Sequence, residues 1–570
     1  MKPLSRLLVS ITILLLIPSR VAASANDGWV AIAPGMEYQK FTLPDPNNVF
    51  VTRMDRNNPG VTIESSIGQG RLSGGPEAVS DMAQRYDQAI NYWGGAWGAR
   101  NRVVVAINGF YFGPPEESDG VPWSGQVHSG WYAKRFWELE SGSGFAWKLD
   151  RSAFIGECIT HPADKQVVYY FHNGELIGSQ PFDGINVPRD RDQFILYTPQ
   201  YDASTLTDGS DAVEVLVELS RPTLIALTSD MTRGRIVEIR KGLGNTPIPF
   251  DHAVLSMQGA ARAKFQGYGV EEGDEIGIAQ RIKNCNGADS PDWSNTYASV
   301  GGAFYFLKDG VIQDFSDDPQ ANVRDPRTAV AFNDNYIFFI VVDGRDSRQS
   351  AGMRIPELAE FAKNTLGASW GIAQDGGGSS TMVVNGQVVN NTYCNIVDCD
   401  RHAGEPAEKL LTDLAGKFPA LRTPDGGRQL PEEPDQPPQL DADGFPLTEE
   451  YYAYRADAAG TTLQRLVANG LMMVVVEPKE QSSAFRPADK VYTKDLTQVR
   501  LGPGVNYRLL ALIDPGNQVN VLDHDLNGLK AKGSYWWKIL FDVGGQGIVG
   551  WATEETLTIP WLEFLPAVLR

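Results

Sequence analysis

The sequence predicts an α+β protein: a large mixed β-sheet domain followed by a small all-β barrel. Three observations carry that expectation. Continuous apolar, β-branched runs recur through the first three quarters of the chain, as in RVVVAING (102–109), FILYTPQY (194–201) and YIFFIVV (336–342). One amphipathic segment, PELAEFAKNTLG (356–367), follows the last of these and reads as a helix that begins at Pro356 and stops at Gly367. After residue 490, short strands alternate with Gly and Pro turns in TQVRLGPGVNYRLLALIDPGNQVNVL and SYWWKILFDVGGQGIVGWA.

At 570 residues the chain exceeds what a single core fills, so two domains are expected. Residues 1–25 read as a signal peptide: Lys2 and Arg6, an apolar run from Leu7 to Pro18, then small residues around Val21, Ala23 and Ala25. That run is too short for a comfortable membrane span, so the mature protein is expected outside the cell or in the envelope, with no spanning segment; a retained anchor is the weaker alternative, since cleavage motifs of small residues are loosely specified. Residues 26–478 form the large domain, broken by an excursion at about 425–444 rich in proline, glycine and acid. NGLMMVVVEP (469–478) lies beyond that excursion, yet it reads as a fully buried strand. Alone it would have no core, so it is expected to return to the large domain. Residues 479–490 then connect to the barrel at 491–557, and 558–570 form a tail.

The formal charge is −20, and losing Lys2, Arg6 and Arg20 with the leader takes it to −23. Such a surface repels nucleic acid and anionic membranes, and a phosphate-bearing substrate would need a local group of arginines. The four cysteines, Cys158, Cys285, Cys394 and Cys399, suit disulfides in an exported protein. Cys394 with Cys399 closes a short loop and leaves Cys158 with Cys285, although three pairings are open. A zinc site competes weakly, since there is no CxxC and His402 lacks a second histidine at ligand spacing. His128, His161, His172 and His252 show no ligand spacing either.

The stretch from Tyr336 to Asn390 carries the chemistry. The strand 336–342 ends in Asp343, Gly344 and Arg345; the helix follows; and WGIAQ (370–374) ends in Asp375. A strand, helix and strand in this order place the two strands parallel in one sheet, with both aspartates at the shared edge where such sheets collect ligands. Paired acids suit glycosyl transfer, one as nucleophile or base and the other as acid or electrostatic partner. Gly376, Gly377 and Gly378 offer backbone N–H groups to an oxyanion, and Ser379, Ser380 and Thr381 add hydroxyl donors. A glycine triplet is by itself an ordinary loop, but this one is pinned between Asp375 and a hairpin turning at Asn385 and Gly386.

These residues resemble the phosphodiester glycosidase family. QDGGGSSTMVVNGQVVN (374–390) is similar to its signature. DPRTAVAF (325–332), VVDGR (341–345) and PELAEFAKNTLGA (356–368) stand in the family's order, extended by AINGFYF (106–112), INVPRDRDQFILYTPQY (185–201) and RLVANGLMMVV (465–475). The resemblance spans roughly Trp29 to Pro478. It departs at Gln374, where the family tends to carry leucine, and at Leu466, which replaces a usual proline. The barrel resembles the bacterial SH3 domain through Val499, Arg500, Gly502, Pro503, Gly516, Val519, Trp536, Trp537, Gly550 and Trp551. Members of that group often bind cell-wall peptides or glycans, whereas the plainer role for Trp536 and Trp551 is as core aromatics.

What the first resemblance implies is a hydrolase that breaks the bond between a sugar's anomeric carbon and a phosphodiester, on a phosphate-linked glycan. Catalytic candidates are Asp343, Asp375 and Glu357, the last also well placed simply to favour its helix dipole. Arg327, Arg345 and Arg189 are candidates for a bidentate phosphate clamp, with surface or interdomain ion pairs as their ordinary alternative. Thr328 belongs to the substrate-binding set. Asn108 is expected on sugar hydroxyls or, equally, as a turn residue before Gly109. No cofactor is required; carboxylates at Asp343 and Asp375 could take a calcium ion. The competing functions are a non-catalytic wall or polysaccharide binder that keeps the pocket, and a glycosidase of phosphate-free linkages. Asn390 with Thr392 forms a glycosylation sequon.

Overall fold

The computed structural model describes residues 28–113, 120–136, 144–157, 159–221, 231–284, 293–345, 349–393, 464–543 and 546–559. The leader, all four cysteines, His402, the acidic excursion and the tail beyond residue 559 lie outside the described residues, and with them the expectations of a signal peptide and of disulfides.

Among the described residues β-structure dominates, and the α-helices Val79–Tyr86, Gly259–Gln266 and Ile355–Asn364 are short. The sheet that carries the site has eight strands, in the order Val30–Ala33, Met36–Leu43, Asn47–Asp55, Tyr336–Val342, Arg327–Phe332, Trp370–Ala373, Ala303–Lys308 and Val311–Ile312. Tyr336–Val342 and Trp370–Ala373 each pair antiparallel with Arg327–Phe332, which lies between them, so they run parallel to one another. The strand, helix and strand expected from the sequence are therefore present, with one further strand inserted. Helix Ile355–Asn364 begins with Pro356 in its first turn and ends before Gly367, whose φ of +68° only glycine adopts freely. Its apolar face, Leu358, Ala359, Phe361 and Ala362, packs on Val51, Ala331, Phe338 and Ile340.

The opposite face of this sheet packs on a second one, in the order Gln387–Val388, Met382–Val384, Ala96–Asn108, Asn469–Glu477 and Val61–Ile67. Val330, Phe339 and Val341 meet Val105, Ile107, Leu471 and Met473 there in one continuous core. Every residue from Asn469 to Met473 is buried, because the strand is paired on both sides. The late apolar run thus joins the body. Asn385 and Gly386 turn the hairpin with φ of +49° and +80°, the sign that a tight two-residue hairpin turn requires.

A further eight-stranded sheet runs from Glu175–Pro181 to Gly184–Ile185 in spatial order and contains Thr232–Lys241, Ala212–Leu219 and His252–Gln258. At the C-terminus, strands from Lys490–Thr493 to Leu557–Thr558 form one antiparallel eight-stranded sheet around Val491, Val499, Trp537 and Ile539. Its Trp536 and Trp551 are each 1% exposed and share a cluster with Phe250 and Trp97 of the body. Phe250 stands 5.8 Å from both Tyr507 and Trp551, ring centre to ring centre. Beside it, Asp251 accepts from His252 Nδ1 at 2.6 Å and from His524 Nε2 at 2.9 Å. Both tryptophans are therefore core aromatics of the contact with the body.

Candidate active site

Asp375 leaves the end of its strand half-buried and is fixed through its backbone. Its N–H donates to Gly109 O at 2.9 Å, and its carbonyl accepts Asn108 Nδ2 at 2.8 Å. Asn108 Oδ1 in turn accepts Thr328 Oγ1 at 2.7 Å and Thr381 N at 3.2 Å. The Asn108 amide and the Thr328 hydroxyl are both fully buried and engaged in tying two sheets to the glycine turn. Both side chains are thus engaged within the protein, and they hold the Asp375 backbone in place.

The glycine turn is also closed internally. Gly377 N donates to Pro326 O at 2.9 Å, Ser379 N to Gly376 O at 3.2 Å and Ser380 N to Gly377 O at 3.3 Å, so these N–H groups are not offered to an oxyanion. Of the three glycine N–H groups, that of Gly377 is taken in this way and that of Gly376 is turned to the Asp375 carboxyl, and the glycines also serve close approach. A Cβ on Gly378 would stand 2.7 Å from Arg465 Cζ, and one on Gly377 would stand 3.1 Å from Arg345 Nη2 at a φ of +60°. The hydroxyls of Ser379, Ser380 and Thr381 are buried without a partner in the protein. That leaves three consecutive donors at the turn.

Burial pushes the Asp375 carboxyl up to about 6; the Ser379 hydroxyl, Arg465 and the Gly376 N–H pull it back, and Asp325 adds to the rise. Ser379 Oγ lies beside this carboxylate but misses hydrogen-bond geometry with it. Asp325 is gripped by Arg345, Nε to Oδ1 at 2.7 Å and Nη2 to Oδ2 at 3.3 Å, and Arg345 stacks 4.6 Å from the Tyr393 ring. Tyr111, half-buried, feels the charges of both Asp375 and Arg327; burial first and then Asp375 hold its phenol up at about 12. Its ring stands 6.2 Å from Trp123, which is 47% exposed.

Asp343 stands at the same sheet edge but behind the turn. It is 2% exposed, and it accepts Asn390 Nδ2 at 3.1 Å and Asn391 N at 3.3 Å. Asn390 Nδ2 also donates to Ser380 O at 3.0 Å, so one amide links Asp343 to the turn. Burial raises the Asp343 carboxyl to about 7, against the two asparagine donors and the Lys40 charge. Because its amide is 5% exposed and doubly engaged, Asn390 does not present a sequon to solvent.

Three expected residues are placed elsewhere or otherwise occupied. Arg327 is 7% exposed and donates to the carbonyls of Met353, Gln320 and Val323 at 2.9, 3.1 and 2.6 Å, which makes it a strut under the Asp325 loop and not half of a bidentate clamp. Arg189 joins the other eight-stranded sheet, where it meets Ser256, Asp208 O and Glu214. Glu357 accepts Arg354 N at 2.9 Å and Arg324 Nη2 at 2.7 Å, closing the first helical turn. Conversely, Tyr111, Asp325 and Arg465 surround Asp375 although sequence reasoning passed over them. Each lies inside a quoted motif, AINGFYF, DPRTAVAF or RLVANGLMMVV, so the signal was there. Among the described residues the acids and histidine within chelating reach of one another are Glu218, Asp251 and His524; Asp343 and Asp375 belong to no such cluster.

Comparison with known proteins sets this geometry in context. No curated protein matches the chain. A protein from Synechocystis aligns over 65% of this chain and 62% of its own, at 14% identity and a TM-score of 0.41, so the chain spans less than two thirds of that relative. A protein from Burkholderia pseudomallei aligns over 76% and 74%, at 17% identity and a TM-score of 0.41. The zebrafish N-acetylglucosamine-1-phosphodiester alpha-N-acetylglucosaminidase catalytic domain, auto-inhibited by pro-peptide, aligns over 64% and 78%, at 14% identity and a TM-score of 0.26. Residues 230–403, which hold Asp325, Asp343, Arg345, Asp375 and the glycine turn, match the phosphodiester glycosidase family.

Proposed function

We propose that the protein is an exported hydrolase that breaks the bond between a sugar's anomeric carbon and a phosphodiester, at Asp375. One observation carries this reading: a half-buried carboxyl raised to about 6 projects beside a glycine turn hemmed by two guanidinium groups and a second carboxylate. Structural ion pairs tend to hold acids ionised, and an acid raised by burial in such company marks a reacting site.

The leaving group decides the roles. A phosphate monoester has a second pKa of about 6, so it departs with little help from an acid. Asp375 therefore works ionised, facing the anomeric carbon as the glycosidic C–O bond breaks and positive charge develops there. Arg345 and Arg465 lie on the side where the phosphate gains charge. Asp325, oriented by Arg345, is the second carboxylate and takes a proton from the water that completes hydrolysis. Tyr111 and Trp123 offer a partly exposed aromatic wall to the apolar face of the sugar. Phosphate-linked polymers of the cell envelope are the substrate class that suits an exported enzyme of this kind.

The test is hydrolysis of a nucleotide sugar, followed as free sugar released by the purified mature protein. Asp375→Asn is expected to reduce turnover by roughly 10³-fold. An unchanged rate in that variant removes Asp375 from the reaction, and binding without turnover in the parent makes the protein a glycan-binding relative instead.

A further inference from the structure

A cavity of about 410 Å³ opens where the body meets the C-terminal sheet, and no residue of the glycine turn lines it. Its size lies within the range of small-molecule sites. The mouth is basic. Arg71 of the body and Arg508 of the C-terminal sheet converge on the same carboxylate, Asp202, at 3.3 and 3.6 Å, so two guanidinium groups share one countercharge. Both arginine side chains are substantially exposed, whereas Asp202 is buried beneath them. Arg71 Nε is buried with no partner in the protein. In a chain of net charge −20, this local positive excess is the opposite of the background.

The floor differs in character. Glu64 is fully buried; it accepts Tyr297 Oη at 2.5 Å, Ser129 N at 2.9 Å and Ser65 N at 3.2 Å. His128 stands beside it with Nδ1 at 2.7 Å from Ser65 O, which fixes the proton on Nδ1 and leaves Nε2 as an acceptor. Burial raises Glu64 to about 7 and lowers His128 to about 4, so near neutrality the floor is polar and carries little charge. The walls are aromatic, with Tyr86 at 4.8 Å from the His128 ring and with Trp97 and Tyr507 on the body and sheet sides. With three donors the Glu64 carboxyl is satisfied inside the protein, and recognition falls to the arginines at the mouth and to the aromatic walls.

We propose that this cavity binds an anionic saccharide, with Arg71 and Arg508 on its phosphate or carboxylate, the aromatic walls on its ring, and His128 on a hydroxyl. The site is independent of Asp375, and because it draws on both units its ligand stabilises their docking.

Calorimetric titration of the full chain bearing Asp375→Asn tests this, using N-acetylglucosamine 1-phosphate, galacturonate and inorganic phosphate as separate probes. At least one saccharide is expected to bind, and which of them does so identifies phosphate or carboxylate as the recognised group. Adding Arg508→Ala, an exposed change whose fold is checked by Tm, is expected to weaken that binding roughly tenfold, and Arg71→Ala to do the same. Affinity unchanged by both arginine substitutions, inorganic phosphate binding as tightly as the saccharide, or no binding by any probe would each overturn the proposal. Failure of the Asp375 reading is distinguishable, since it appears as undiminished turnover in Asp375→Asn and leaves these affinities as they are.

Discussion

Gln374 stands where the family that the chain resembles tends to carry leucine, and the protein carries a physical cost there. The side chain is 2% exposed, and neither its Oε1 nor its Nε2 has a partner in the protein. An unsatisfied buried amide costs about 1–3 kcal/mol. Gln374→Leu is expected to raise stability by that order, read as a higher Tm, and an unchanged or lower Tm would show that the amide is satisfied. Next to it, Asp375 sets the pH response. If it works ionised, kcat/KM rises through about pH 6 as the carboxyl titrates, and a rate that instead falls through that pH would assign it as the general acid. Gly378→Ala probes the turn without altering charge: its Cβ would stand 2.7 Å from Arg465 Cζ and displace the guanidinium. The expected result is a loss of turnover of at least tenfold with the fold retained, measured by activity beside circular dichroism.

At the scale of elements, the strand and helix pattern was legible because each segment's own residues specify it. YIFFIVV and WGIA are uninterrupted apolar runs, and Pro356 and Gly367 bracket the helix between them. What sequence could not supply was the occupancy of side chains. Arg327 and Arg345 look alike in their motifs, yet one binds three backbone carbonyls and the other grips Asp325. That difference arises from the loop conformation at 320–326 and 353, which no periodicity encodes. Asn108 is similar: placed at a strand end it could serve a sugar, and only the meeting of two sheets assigns its amide to Asp375, Thr328 and Thr381. Asn108→Ala removes these bonds and leaves buried partners unmatched. A loss of about 2–4 kcal/mol is expected in denaturant unfolding, together with a fall in kcat larger than any change in KM.

At the scale of the whole molecule, three carboxyls, the buried Glu64 and Asp343 and the half-buried Asp375, are raised to about 7, 7 and 6. Acids raised on folding make the folded state bind more protons than the unfolded one and lower stability as pH rises from about 4, where the unfolded groups titrate, to about 7; buried His128 and His161, lowered by folding, act in the opposite sense below about 6.5, so the net fall is the surplus of the three acids over the two histidines. Thermal melts across that window should show a declining Tm at the alkaline side, with a shallower decline in Asp343→Asn; a flat wild-type profile would contradict this. The docking of the C-terminal sheet rests on Phe250 among Tyr507, Trp551 and Trp97. Phe250→Ala, a change that costs about 3–5 kcal/mol in a packed interior, should separate one melting transition into two in calorimetry.

The strand Asn469–Glu477 lies between Val61–Ile67 and Ala96–Asn108, so the centre of the body is closed by a segment synthesised hundreds of residues after its neighbours. Until that segment emerges, both neighbouring strands present open edges, and Arg465 has yet to reach Asp375. A nascent chain is therefore held short of its native state until residue 477 of 570 has emerged.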